Sequence, residues 1–166
     1  MLHADSLPPP GLARAQRDRD VPVDLADVAR LLLATDLSPA SRAATDEALA
    51  IAAREHAMLI VLSVVDPVLL RLPGGRFLRR MDQERASVEA GVQAVVARAR
   101  EAGIRATFLV WEGEPSEVIL QAAEAEAVDL VVMGSHGRGR LGRLLLGSTS
   151  TRVAAESTTR VHVVQS

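Results

Sequence analysis

Short runs of consecutive apolar residues alternate along this chain with longer stretches in which apolar positions recur every three or four residues. The runs are Val28-Ala-Arg-Leu-Leu-Leu-Ala-Thr35, Met58–Val65, Arg105–Trp111, Val128–Met133 and Arg160–Val164. Solid runs of this length predict strands buried on both faces. Between them, helical spacing predicts helices from Pro39 to about Glu55, Met81 to Ala102, Ser116 to Glu126 and Ser148 to Glu156. The first would bury Ala44, Ala48, Ile51 and Ala52, and the second Val88, Val92, Val95, Val96 and Ala99. Ser38 before Pro39 predicts a capping hydroxyl with proline at the first helical position. Gly113-Glu-Pro115-Ser116 marks another turn and helix start, while Pro67, Pro73, Gly74 and Gly75 make Asp66–Arg80 a loop or lid.

Strands alternating with helices imply right-handed crossovers and an α/β fold. The order expected is an open five-stranded parallel sheet, 3-2-1-4-5, with helices on both faces. Winding then reverses between the first and fourth strands, and ligands of open α/β sheets bind beyond the strand ends at that point. Those ends are Thr35-Asp36 and Met133-Gly134. Residues 1–27, with Pro8-Pro9-Pro10 and mixed charges, read as a disordered tail. Residues 28–166 read as one domain.

Composition narrows the chemistry. Hydrophobic residues make up 48% but aromatic residues only 2%, so the core must be aliphatic. Cysteine is absent, and all 19 basic residues are arginine. Disulfides, thiolate chemistry, Schiff bases and a Walker lysine are thereby excluded. A net charge of −2 makes no case for nucleic acid or a membrane surface. No apolar run spans a bilayer and the N-terminus lacks the apolar core of a signal peptide, so a cytoplasmic location is expected.

The densest chemistry lies behind the fourth strand. Gly134-Ser-His-Gly137 is followed by Gly147-Ser148-Thr149-Ser150, at a predicted helix start. Glycines after a strand admit close backbone approach, and hydroxyls with helix N–H groups suit anions. Arg138, Arg140, Arg143 and Arg152 fall in a stretch, Leu130–Ala155, that has no acidic residue. A solvated basic loop would look the same, but with the glycines the pattern favours a phosphate ligand. His136 contributes a backbone N–H or faces phosphate. Gly137-x-Gly139-x-x-Gly142 spells a dinucleotide fingerprint, yet it follows the fourth strand and not the first. The histidines show no metal-ligand spacing and no nucleophile–base pair is evident. Asp66 closes its strand, with Mg²⁺ coordination the alternative, and Trp111 is expected to pack.

Gly134-x2-Gly137-x9-Gly147-Ser148 resembles the G-x2-G-x9-G-[S/T] motif of the universal stress protein family, on its ATP-binding branch. Ala34-Thr-Asp36-Leu-Ser38, Ser63-Val-Val-Asp66, Gly113-x-Pro115 and Asp129–Gly137 also match. The resemblance covers Val28 to Ser166 and implies a Rossmann-like domain, dimeric through its last strand. It implies ATP as ligand, with or without Mg²⁺. Asp36 and the backbone near Val64 would hold adenine and ribose, and Gly134 and Gly137 the ribose and first phosphates. Gly147, Ser148 and Thr149 would take the terminal phosphates. Ala34, Thr35, Met133, His136, Arg138 and Ser150 complete the candidate set. With Ser38 as the helix cap, Asp36 is left for the ligand. The implied role is regulatory, in the stress response, through nucleotide-dependent conformation or an unidentified protein partner. Alternatives are a slow ATPase or other nucleotide-using enzyme at the same site, and a dimeric scaffold without nucleotide.

Overall fold

The computed structural model of the chain describes residues 25–67, 77–135 and 147–165. In chain order the elements are β1 (Arg30–Ala34), a 3-10 turn (Pro39–Ser41), α1 (Arg42–Glu55), β2 (Met58–Val65) and α2 (Phe77–Glu101). They continue as β3 (Ala106–Glu112), α3 (Pro115–Ala125), β4 (Leu130–Gly134), α4 (Ser148–Glu156) and β5 (Arg160–Val164). The five strands form one parallel sheet in the order β3-β2-β1-β4-β5, as the alternation of patterns implied.

The central strands are apolar at nearly every position, with Arg30 and Ser63 the exceptions in β1 and β2, because both faces are covered. Leu31, Leu33, Leu59, Val61, Leu130 and Val132 face α1 and α2, meeting Ala44, Ala48, Ile51, Val92 and Val96. Leu32, Ile60, Leu62, Val131 and Met133 face the other way, onto Val118, Ile119 and Ala122 of α3 and Val153 of α4. Trp111 packs at the margin of that second layer, as expected. Removing a leucine such as Leu31 from water is worth about 1.5–3 kcal/mol, and the small alanines of α1 and α3 let the helices lie close on the sheet.

Two local boundaries differ from expectation. Helix α2 begins at Phe77, four residues before Met81, so Phe77–Arg80 are helical and not loop. After Gly75 no glycine or proline interrupts the helix-forming residues until Gly91. Ser38 precedes the 3-10 turn but its side chain caps nothing; its hydroxyl donates to Asp36 instead, at 2.6 Å. Helix α3 is capped by Glu114, whose carboxylate accepts from the amides of Ser116 and Glu117 at 3.2 and 2.9 Å. At Gly113 φ is 147° and a Cβ would lie 2.8 Å from Val118, so the turn into α3 needs glycine.

Of the tail expected over 1–27, residues 1–24 lie outside the described residues. Leu25 already rests against the core, so packing begins before Val28. Among the described residues no helix is long and apolar enough to cross a membrane.

Candidate functional site

The pairing of β1 with β4 puts Ala34 opposite Met133, so the two strand ends named by the sequence emerge side by side. Ala34 and Met133 are buried and belong to the core. Beyond Ala34, the Thr35 amide donates to Leu62 of β2 at 3.0 Å. Val64, half-buried near the end of β2, lies along the same edge of the sheet.

The chain after β1 folds into a tight turn held by side chains. The Thr35 hydroxyl accepts from the Leu37 amide and donates to Ser41, both at 3.0 Å. Asp36 Oδ1 accepts from the Ser38 amide at 3.0 Å and the Ser38 hydroxyl at 2.6 Å. This Asx-type turn reverses the division of labour expected from the sequence: Asp36, and not Ser38, organises the helix entry. The carboxylate stands half-buried at the carboxyl end of β1.

Across the crevice, β4 ends at Gly134. The Ser135 amide donates to Val164 of β5 at 2.8 Å, and its carbonyl accepts from the Gly147 amide at 2.7 Å. The buried Ser150 hydroxyl lies 3.2 Å from the Ser135 carbonyl and 3.0 Å from that of Gly147. The start of α4 is thus fastened to the end of β4. His136, Gly137 and Arg138, with Arg140 and Arg143, lie outside the described residues.

The first intrahelical bond of α4 runs from the Thr151 amide to Gly147, at 2.9 Å. The amides of the preceding turn have no acceptor within the helix. The N-cap residue, Gly147, has no side chain to cap them, and no acidic residue sits in that turn. Ser148 is exposed and Thr149 half-buried. This end of α4 therefore offers N–H groups, hydroxyls and a positive dipole end to an anion. Neither Gly134 nor Gly147 has a positive φ; that of Gly147 is −60°, open to any residue.

One arginine of the basic stretch is committed elsewhere. Arg152 donates to Glu114 and to the Ser116 hydroxyl at 3.1 Å, to Glu117 at 3.3 Å and to Glu156 at 3.0 Å. Its neighbours on α3 are acidic, so Arg152 ties α4 to the N-terminus of α3. For Glu114, burial works against the charged form. Hydrogen bonds from Ser116 and Glu117 and the Arg152 charge outweigh it, holding the carboxyl below its ordinary value.

Sequence reading missed Asp129. Its Oδ2 accepts from the amides of Ala29 and Arg30 at 2.9 and 2.8 Å, locking the start of β1 onto β4. The signal was present as an acid directly ahead of an apolar strand, but its partners lie about a hundred residues away in sequence. Among the described residues no group of three or more metal-ligating side chains comes together.

The profile of the universal stress protein family matches residues 28–165. The chain belongs to that family. A universal stress protein of Thermus aquaticus is 37% identical over 138 residues, covering 81% of this chain and 97% of that one. Universal stress protein YxiE of Bacillus subtilis is 30% identical, covering 82% and 98%. The solved structure of MJ0577, a universal stress protein of Methanocaldococcus jannaschii, has a TM-score of 0.76 at 25% identity, covering 83% of this chain and 96% of that one. A universal stress protein solved in complex with cAMP has a TM-score of 0.64 at 27% identity, covering 83% and 97%. The universal stress protein fold thus accounts for the sheet order, and the crevice between β1 and β4 lies at its switch point.

Proposed function

We propose that this universal stress protein is an ATP-binding regulatory protein whose nucleotide lies across the crevice between the ends of β1 and β4. The observation that carries the reading is the pair Gly134 and Gly147. Neither has a positive φ that would call for glycine, and glycine at both places leaves the backbone open to close approach by a ligand. Gly147 opens a helix as an N-cap with no side chain of its own to cap the first amides. Phosphates would sit there with Ser148, Thr149 and Ser150, and with the neighbouring Gly137, His136 and Arg138. Asp36 would receive a ribose hydroxyl or the adenine amine in addition to its Ser38 donors, and the backbone near Val64 would read adenine. A Mg²⁺ accompanying ATP would neutralise phosphate charge. The conformation of the loaded site, or a protein partner reading it, would carry the signal. A homodimer through β5 is part of the reading, since among the described residues no strand pairs with the outer edge of β5.

The test is to denature the purified protein and identify released small molecules by mass spectrometry, with calorimetric titration of ATP and Mg²⁺. Co-purified ATP or ADP and saturable binding are expected. No nucleotide, and no binding at millimolar ATP, would establish the scaffold reading. Turnover that disappears with binding would promote an enzyme. The cAMP complex of a relative 27% identical supports a second reading, a nucleoside monophosphate at the same site. A preference for AMP or cAMP over ATP in the same titration would favour it.

A further inference from the structure

Between Asp36 and Ser38, Leu37 sits in the left-handed region with φ 61°. A residue with a side chain adopts that conformation only when its surroundings repay it. The repayment comes from α2. Leu37 packs against the core on the α1 and α2 face, and its Cδ1 occupies the space that a Cβ on Gly91 would fill. Glycine is a poor choice inside a helix, and Gly91 lies within α2, flanked by the buried Val88 and Val92. Two local disadvantages, a left-handed leucine and a helical glycine, are therefore joined in one contact.

That contact bears on Asp36. The Leu37 amide is held by the Thr35 hydroxyl, and the next amide, Ser38, donates to Asp36 Oδ1. With its backbone tied on one side and its side chain seated on the other, Leu37 leaves the turn little freedom to rotate the carboxylate. We infer that Leu37, seated in the notch at Gly91, is the positioning residue for the Asp36 carboxylate. The consequence for ligand affinity rests on the proposed reading of Asp36 as a contact to the adenosine end of the nucleotide.

The experiment reads the turn and the ligand separately. Amide hydrogen exchange of Ser38, followed by NMR, reports the bond to Asp36 without any nucleotide. Leu37→Ala should speed that exchange roughly tenfold, a shift of about 1.4 kcal/mol in local opening, and Leu37→Met, of similar reach, should restore it. Gly91→Ala should speed it in the Leu37 background and not in Leu37→Ala, which lacks the Leu37 atoms that the added methyl would strike. Unchanged exchange in Leu37→Ala overturns the inference, as does an equal effect of Gly91→Ala in both backgrounds.

Titration then follows adenosine, ATP and inorganic tripolyphosphate. Leu37→Ala should weaken adenosine and ATP by roughly three- to tenfold, leave tripolyphosphate unchanged, and add nothing in an Asp36→Ala background. Equal losses for all three ligands would overturn a role through Asp36. Faster Ser38 exchange in Leu37→Ala, with no adenosine or ATP bound by the unsubstituted protein, supports the positioning contact and overturns the ligand role of Asp36.

Discussion

The amide of Gly147 donates to the carbonyl of Ser135 at 2.7 Å, so the segment between β4 and α4 leaves and returns at one point. The hydroxyl of Ser150 secures the same carbonyl. This closure sets the start of α4 beside the end of β4.

From this follows the effect of filling the two glycines. The double substitution Gly134→Val and Gly147→Val should lower ATP affinity at least about a hundredfold, about 2.7 kcal/mol. Both backbones are compatible with a side chain, so the thermal midpoint should fall only slightly. Calorimetry and thermal unfolding of the same preparation check this. Unimpaired ATP binding would remove the glycines from the site.

Asp36 holds the turn at Ser38, and on the proposed reading it also meets the nucleoside, so the two tasks can be separated. Asn at this position keeps a side-chain oxygen for the Ser38 amide, whereas Ala removes the turn as well. Asp36→Asn should retain stability and weaken adenosine binding about tenfold. Asp36→Ala should in addition cost about 1 kcal/mol of stability. Equal stability losses in the two variants, measured by denaturant unfolding, would contradict the division.

Glu114 gives the protein an acid-side dependence with a definite sign. Its folded carboxyl lies below the ordinary value, so its contribution is present above the unfolded value of 4.5 and is lost as pH falls through the folded one. Glu114→Gln should flatten the stability-against-pH curve below that value. Glu114→Ala should cost about 1 kcal/mol at neutral pH through loss of the α3 cap. Urea unfolding at a series of pH values tests both, and an unchanged acid limb in Glu114→Gln would count against the assignment.

Asp129 supplies a long-range clamp. Asp129→Ala leaves the Ala29 and Arg30 amides without their acceptor, and the expected loss is about 1–3 kcal/mol. Since Asp129 precedes β4 at the end opposite Gly134, ATP affinity of the folded protein should be unchanged. A loss of affinity without a loss of stability would overturn this placement.

The outer edge of β5 carries the remaining prediction. Val164 turns its carbonyl to the Ser135 amide, so in a parallel ladder the Val163 backbone faces away from β4. Val163→Pro removes an outward N–H without removing a bond to β4. Sedimentation should show the unsubstituted protein as a dimer and Val163→Pro as a monomer. A dimer indifferent to proline would place the interface elsewhere.

The amino-acid pattern by itself determined the strands, their order and the crevice, because a two-sided apolar strand and a helical apolar stripe are local properties of the chain. The spacing Gly134-x2-Gly137-x9-Gly147-Ser148 likewise named the family before any coordinate. The pattern did not determine the start of α2, since Phe77–Arg80 differ from loop residues only in lacking a breaker. Only the tertiary structure decided what Arg152, Asp129, Leu37 and Gly91 do. Arg152 reads as one more cation of a basic stretch until α4 lies across α3 and meets Glu114 and Glu117. Gly91 reads as a weak point in a helix until Leu37, distant in sequence, occupies its missing side chain. Such partners are chosen by the packing of elements on the sheet, and no window of sequence contains both members of the pair.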